Sequence, residues 1–164
     1  METMSKDKKV KVLFVCMGNI CRSPTAHGVF EKMVKDAGLT DKIEVDSAGT
    51  HSYHIGSQPD QRSQQTALAH GVDLSYIRAR QVTSADFDYF DYVLAMDHDN
   101  YDDLSQLAKK DNAHKLHLFL NFAPRLKPNS KVPDPYYGGE RGFDNVYDLV
   151  AQASEGLLLE IQSN

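Results

Sequence analysis

Cysteine is nearly absent, since the 164 residues contain only Cys16 and Cys21. Two cysteines so close together are too few for a disulfide framework, and no second pair exists to complete a zinc site. We therefore expect no metal site and no other cofactor. The two thiols are of interest for their reactivity instead.

Long apolar runs and an excess of positive charge are also missing. The first apolar segment, residues 10–15, is interrupted by Lys11 and is too short for a signal peptide. No stretch approaches the roughly 20 apolar residues of a membrane helix. With 18 basic and 23 acidic residues, the net charge is -5, which leaves no broad positive field for nucleic acid or an anionic membrane. We expect a cytoplasmic protein with neither of these partners.

The remaining composition is that of a soluble globular protein. Hydrophobic residues make up 41% of the chain and charged residues 25%, and the mean hydropathy is -0.49. A chain of this length fits one hydrophobic core, and it contains no repeat, low-complexity tract or linker. We expect a single domain over residues 1–164, with residues 1–8 flexible.

Segments typical of strands and helices alternate along the chain. The hydrophobic patterns predict strands at residues 9–15, 43–48, 90–96 and 115–120, and helices at residues 24–38, 60–71, 97–110 and 143–162. Strands joined by right-handed helical crossovers ordinarily form a parallel sheet with helices on both faces. The order of the segments therefore predicts an α/β fold.

The turn between the first strand and its helix, residues 16–24 (CMGNICRSP), carries the strongest functional signal. Ligands of open parallel sheets bind at the carboxyl ends of the strands, and the start of a helix attracts anions. Gly18 lets the backbone approach an anion, Asn19 tolerates a left-handed conformation, and Arg22 offers a planar fork for two phosphate oxygens. The turn is predicted to bind an oxyanion.

Cys16 would lie beneath that anion, directly after the strand. The donors that bind phosphate would also stabilise its thiolate. The thiolate could then attack phosphorus and form a phosphocysteine, which splits the displacement into two easier steps. The Ser23 hydroxyl could reach the sulfur and stabilise it as it leaves.

A phosphate monoester also needs a proton on its leaving oxygen. The candidate acid is Asp134, which stands between two prolines in the long segment 121–142. Asp97 is the reserve acid, with an N-cap of the following helix as its alternative role. Asp46 is expected to end the second strand and to face the same rim as Asp97. Aromatic walls for an aryl leaving group could come from Tyr53, Tyr136 and Tyr137.

Three motifs together resemble the low-molecular-weight protein tyrosine phosphatases: VCMGNICRSP at residues 15–24, DSAGT at residues 46–50 and VPDPYYG at residues 132–138. The resemblance spans nearly the whole chain. It implies a Rossmann-like, four-stranded parallel sheet in the order 2-1-3-4, flanked by helices on both faces. It also implies the catalytic residues, namely the nucleophile Cys16, the phosphate-binding Arg22 and the general acid Asp134.

The same resemblance implies the supporting residues. The phosphate loop and its supports are Met17, Gly18, Asn19, Ile20, Cys21, Ser23 and Ser47, and the substrate rim is Tyr53, Tyr136 and Tyr137. Ser47 matches the family's serine in the hydrogen-bond network behind the loop. Many members carry a histidine where this chain has Tyr76 and Ile77, so we expect the support of Asn19 to differ.

The activity implied by the resemblance is metal-independent hydrolysis of phosphotyrosine and aryl phosphate monoesters, with inorganic phosphate as product. Tyrosine-phosphorylated proteins are the implied partners. Bacterial members often accompany tyrosine kinases, which makes a tyrosine kinase a further expected partner. The resemblance also favours a reversible Cys16–Cys21 disulfide, and the alternative for Cys21 is a small buried filler.

Three alternatives stay open at this point. Arsenate reduction uses a similar phosphate-type loop, but it needs further cysteines downstream, and none follows Cys21. A phosphotyrosine-binding module would lack the nucleophile or the acid, and both are present. Tyr136 and Tyr137 could instead be sites of phosphorylation by a kinase.

Overall fold

A four-stranded parallel sheet forms the centre of the fold. The structure is a computed structural model and describes residues 8–137, 139 and 141–164. The strands are β1 (Val10–Cys16), β2 (Ile43–Gly49), β3 (Tyr92–Ala95) and β4 (Leu116–Leu118). They pair in the order β2-β1-β3-β4. The α/β class and the strand order implied by the family resemblance are confirmed.

Among the residues that the structure describes, five α-helices connect and flank the strands. They are α1 (Arg22–Asp36), α2 (Gln61–Ala69), α3 (Ser84–Tyr89), α4 (His98–Leu107) and α5 (Gly142–Ser163). Three 3₁₀ segments lie at Lys110–Lys115, Phe119–Phe122 and Pro135–Tyr137. Helix α3 and the 3₁₀ segments are absent from the sequence prediction, which extended β4 into the second of these segments.

The central strand β1 is buried on both faces. Its residues Val12 and Phe14 belong to one hydrophobic cluster, which includes side chains of α1, α2 and α5. Leu13 and Val15 belong to a second cluster, with Phe87 of α3 and other apolar side chains. Successive side chains of a strand point to opposite faces, so helices cover both sides of the sheet, as predicted.

The carboxyl ends of β1 and β3 lie side by side, since Val15 pairs with Ala95. The loop after β1 therefore lies next to the start of α4. The segment before Asp134 joins the same edge, where the Val132 backbone N–H donates to the Met96 carbonyl oxygen at 2.7 Å.

Within the described ranges, no helix is long and apolar enough to cross a membrane. Residues 1–7, most of the N-terminal segment that we predict to be flexible, lie outside the described residues.

Candidate active site

The predicted nucleophile stands at the end of β1. Cys16 is 3% exposed, and its Sγ lies 3.1 Å from the Ser23 Oγ. The Ser23 backbone N–H also points to the sulfur, at a distance of 3.5 Å. A hydroxyl and an N–H group from the first turn of α1 therefore face Cys16, an environment that stabilises a thiolate.

Asn19 holds the loop in its curved conformation. Its φ is 57°, which is the left-handed conformation that the sequence predicts for this residue. The fully buried side chain donates from Nδ2 to the Ser23 Oγ at 2.8 Å. Its Oδ1 accepts from the Arg80 backbone N–H at 3.1 Å. Asn19 is thus tied to the backbone of Arg80 and to the helix start.

Two glycines make room around this loop. A Cβ at Gly49, the last residue of β2, would lie 2.7 Å from the Met17 carbonyl oxygen. A Cβ at Gly18 would lie 3.1 Å from the Cδ2 atom of His54. Gly49 therefore permits the loop backbone to pass the strand end, and Gly18 leaves room for a histidine beside the pocket.

Arg22, the first residue of α1, is held by two acceptors. It is 4% exposed, and its Nη1 donates to Asp97 Oδ2 at 2.6 Å and to the Val132 carbonyl oxygen at 3.0 Å. Burial opposes the charged form, but Cys16 and Asp97 favour it, so the pKa of Arg22 is raised above its ordinary value. The guanidinium is a fixed cation next to Cys16.

Asp97 and Asp46, the two other aspartates expected at this rim, occupy different positions in the fold. Asp97 caps α4, since its Oδ1 accepts from the Asn100 backbone N–H at 2.8 Å. The N-cap alternative is confirmed, and the same carboxylate orients Arg22. The prediction for Asp46 is wrong, because β2 continues to Gly49 and Asp46 lies inside it. Its carboxylate accepts from Arg80, with Nη2 of Arg80 at 3.1 Å.

Asp134, the predicted acid, lies directly before the 3₁₀ segment Pro135–Tyr137. Its Oδ1 accepts from the Tyr136 backbone N–H at 3.0 Å. This local hydrogen bond sets the direction of a half-buried carboxyl group between two prolines. Asp134 and Cys16 line the same pocket.

Most of the predicted site residues surround one small pocket, with a cavity volume of about 80 Å³. Its lining consists of Cys16, Met17, Gly18, Ile20, Cys21, Arg22, Tyr53, His54, Asp134 and Tyr136. Asn19, Ser23 and Ser47 lie behind it as buried supports. The structure therefore brings together the predicted nucleophile, cation and acid from two distant parts of the chain.

The rim of the pocket is aromatic. Tyr53 is 72% exposed and stacks on His51, with ring centroids 5.3 Å apart. Tyr136 is 56% exposed and lies against the guanidinium of Arg62. The side chain of Tyr137 lies outside the described part of the chain, so its place on the rim stays a prediction.

Ser47 contacts an imidazole that the sequence analysis did not single out. Its Oγ lies 2.8 Å from Nδ1 of His27, which is buried within α1. Burial lowers the pKa of His27, which favours the neutral ring. Tyr76 packs edge-on against this ring, with centroids 5.9 Å apart, and its hydroxyl donates to Glu31. His27 therefore fastens α1 to β2, one helical turn beyond Ser23.

Cys21 differs from Cys16 in its surroundings. Burial, together with the negative charges of Asp60 and Cys16, raises the pKa of the Cys21 thiol to about 12. Both cysteines are free thiols in the structure. Cys21 is therefore protonated at neutral pH, and Cys16 is the better candidate for a nucleophile.

The sequence analysis did not identify three residues that line the pocket or contact its residues: His27, His54 and Arg62. The sequence holds a weak signal for His54, which directly follows the predicted rim residue Tyr53. It holds none for the other two, because their contacts depend on how α1 and α2 pack against distant segments.

Comparisons with known proteins find a family and individual relatives that match nearly the whole chain. The model of the family described as low molecular weight phosphotyrosine protein phosphatase matches residues 11–164. The chain is 41% identical to the low molecular weight phosphotyrosine protein phosphatase of Gallus gallus over 157 residues, covering 94% of this chain and 98% of that protein.

Two solved structures are similar as well. A protein tyrosine phosphatase from Entamoeba histolytica, with Hepes in its active site, has a TM-score of 0.90 and 42% identity, covering 94% of this chain and 98% of its own. A Drosophila arginine phosphatase has a TM-score of 0.86 and 33% identity, covering 94% of this chain and 99% of its own. The similarity covers nearly the whole chain, and the residues matched by the family model, 11–164, include the turn after β1 and Asp134.

Proposed function

Because the chain belongs to the low molecular weight phosphotyrosine protein phosphatase family, whose members are phosphoric monoester hydrolases, we propose that it hydrolyses phosphotyrosine in proteins through a phosphocysteine intermediate, without a metal ion. The observation that carries this proposal is a single pocket. It joins Cys16, which faces the first turn of α1, with Arg22 and Asp134.

In the first step, the Cys16 thiolate attacks phosphorus. An S–P bond forms, and the bond from phosphorus to the tyrosyl oxygen breaks. Asp134 in its acid form gives its proton to that oxygen as it leaves. Arg22 and the N–H groups at the start of α1 hold the non-bridging oxygens, and they supply the positive charge for the transition state.

In the second step, water hydrolyses the phosphocysteine. Asp134, now a carboxylate, takes a proton from the water as it attacks phosphorus. The S–P bond breaks, inorganic phosphate forms, and Cys16 leaves as a thiolate. The Ser23 hydroxyl lies 3.1 Å from the sulfur, so it can donate a hydrogen bond to the departing thiolate.

The walls of the pocket favour an aryl ester. Tyr53, Tyr136 and Ile20 present rings and an aliphatic side chain around its mouth, and a flat phenyl ring can pack against such surfaces. Tyrosine-phosphorylated proteins are accordingly the proposed substrates, and a tyrosine kinase that produces them is the proposed opposing enzyme.

We assign this function to one domain over residues 1–164, because the family model matches residues 11–164. A catalytic thiol stays reduced in the cytoplasm, which supports the cytoplasmic location that we propose. Immunodetection in cell fractions tests it, and recovery of the protein in an oxidising compartment would contradict it.

The test of this function is phosphate release from matched peptides that carry phosphotyrosine, phosphoserine or phosphoarginine, in EDTA and with a reductant. We expect turnover of the phosphotyrosine peptide, at an unchanged rate when EDTA replaces added Mg²⁺. Preference for phosphoarginine would assign the substrate class named for the Drosophila relative. Binding of the phosphotyrosine peptide without turnover would assign a binding module.

We also propose that Cys21 protects the nucleophile from oxidation. Peroxide oxidises the Cys16 thiolate to a sulfenic acid, and the Cys21 sulfur then attacks it, forming a disulfide and releasing water. The two thiols are close enough for the charge of Cys16 to raise the pKa of Cys21, although burial raises it more. Because Cys21 is largely protonated, disulfide formation should be slow at neutral pH and faster in alkali.

A Cys21→Ser variant tests this protection. After peroxide treatment followed by dithiothreitol, we expect the wild type to recover most of its own initial activity and the variant to recover little of its own. The reason is that Cys16 without a resolving thiol proceeds to irreversible oxidation states. The measurement is the ratio of recovered to initial rate, with the Cys16–Cys21 disulfide detected by mass spectrometry. Equal ratios would exclude the protective role.

A further inference from the structure

Arg62, the second residue of α2, is held rigidly although its side chain is 51% exposed. Its guanidinium forms a fork with the Asp60 carboxylate, with Nε 3.2 Å from Oδ1 and Nη2 3.0 Å from Oδ2. Asp60 caps α2 and accepts from the Arg62 backbone N–H at 2.8 Å. A planar, two-point pair of this kind fixes the orientation of the guanidinium.

The guanidinium lies over two aromatic rings that follow Asp134 in the chain. Its Cζ lies 4.9 Å from the ring centroid of Tyr136 and 4.6 Å from that of Phe143. Tyr136 follows Asp134 by two residues, and Phe143 belongs to the first turn of α5. Arg62 therefore contacts Tyr136, which closely follows Asp134, and Phe143 at the start of α5, both through cation–π interactions.

Contacts at both ends connect this cluster to the reacting groups. At one end, the Asp60 backbone N–H donates to the carbonyl oxygen of Ile20 in the phosphate loop at 2.7 Å. At the other end, the Tyr136 backbone N–H donates to Asp134 Oδ1 at 3.0 Å. A chain of direct contacts thus runs from the phosphate loop through Asp60 and Arg62 to the acid.

We propose that Arg62 is a positioning residue, which holds the Asp134 segment at a fixed place over the phosphate loop and so sets proton delivery to the leaving group. The proposal rests on the phosphatase function proposed for Cys16 and Asp134. Arg62 acts through Tyr136, not on the substrate, because its charge is already paired with Asp60.

Truncation of Arg62 should impair proton delivery by Asp134 and leave the phosphate loop intact. When Arg62 is truncated, the phosphate loop keeps its own hydrogen bonds, because Asn19, Ser23 and the Arg80 backbone hold it from within. Nucleophilic attack and phosphate binding should therefore persist. The acid loses a fixed position, and small displacements of a catalytic group cost rate steeply.

The experiment compares kcat/KM of Arg62→Ala with that of the wild type on two substrates. For phosphotyrosine, whose leaving oxygen needs a proton, we expect a loss of about 10- to 100-fold. For p-nitrophenyl phosphate, whose leaving group departs with little protonation, we expect a loss below about threefold. Arg125→Ala, which removes another exposed arginine, is the matched control and should alter neither value.

A second arm separates positioning from general loss of structure. In an Asp134→Ala background, Arg62→Ala should produce no further loss on phosphotyrosine, since the acid that it positions is absent. Arg62→Lys keeps the charge but lacks the fork and the planar face, so its defect should lie between those of wild type and Arg62→Ala. This variant also serves if Arg62→Ala fails to fold.

Equal losses on both substrates, or a loss that persists without Asp134, would overturn the positioning role. An unchanged kcat/KM in both Arg62 variants would overturn it as well. A wild-type protein that turns over neither substrate contradicts the phosphatase function itself, which distinguishes the two failures.

Discussion

Cys16→Ser should abolish turnover while phosphate binding survives. The hydroxyl that replaces the thiol ionises far less readily at neutral pH, so the attacking anion is lost. We expect steady-state rates to fall by about 10⁴-fold or more, because removing a catalytic nucleophile costs on the order of 10⁶-fold where it has been measured in a protease. The anion site should persist, since Asn19, Ser23 and Arg22 keep their partners without the sulfur.

Rapid-mixing measurement of p-nitrophenol release from p-nitrophenyl phosphate tests this prediction. If hydrolysis of the phosphocysteine is the slower step, the wild type should release a burst of about one equivalent before the steady state. Cys16→Ser should show neither burst nor turnover. Thermal protection of the variant by inorganic phosphate is its control, because it shows a folded and occupied site. Sustained turnover by the variant would exclude the covalent route.

The phosphate loop was predictable from sequence because its chemistry is contiguous. Eight residues from Cys16 to Ser23 supply the proposed nucleophile, the left-handed turn and the cation, and the adjoining strand and helix patterns place them at the carboxyl end of β1. The turn from Cys16 leads directly into α1, which brings the hydroxyl and the backbone N–H of Ser23 next to the Cys16 sulfur. The sequence pattern of these eight residues was therefore enough to predict the geometry of the loop.

Asp46 shows why the end of a strand is harder to predict. The predicted strand already extends to residue 48, and β2 reaches Gly49 because its last residues pair with Phe14–Cys16 of β1. Gly49 also gains backbone partners beyond β1. Its N–H donates to the Arg80 carbonyl oxygen, and its carbonyl accepts from Val82, both at 2.8 Å. These partners come from a segment far along the chain. Asp46 consequently lies within the strand and pairs with Arg80.

Helix α3 was missed although its start carries a readable signal. The Thr83 backbone N–H donates to Asp86 Oδ2 at 2.8 Å, as part of a capping box. A six-residue helix offers too few turns for hydrophobic periodicity to be recognised. By contrast, nothing local relates Arg62 to Tyr136 or His27 to Ser47, because tertiary packing alone creates these pairs.

Asp134→Ala should impair catalysis in proportion to the need for a proton on the leaving group. For phosphotyrosine, we expect kcat/KM to fall by about 10²- to 10⁴-fold, the usual contribution of a general acid. For p-nitrophenyl phosphate, the fall in kcat/KM should be far smaller, because this parameter reports the first displacement and the nitrophenolate leaves readily. Asp148→Ala, an exposed aspartate on α5, is the matched control and should match the wild type on both substrates.

The same series decides between Asp134 and Asp97. Both oxygens of the Asp97 carboxylate are engaged, one by Arg22 and one by the Asn100 backbone, so Asp97→Asn should weaken phosphate binding about equally for every aryl phosphate. A loss that instead grows with the basicity of the leaving group in Asp97→Asn, and stays constant in Asp134→Ala, would reverse the assignment. The hydrogen bond from Tyr136 to Asp134 leaves the acid in the pocket with Cys16, whereas Asp97 supports the arginine from behind. These positions support the proposal that Asp134 transfers the proton and that Asp97 orients Arg22.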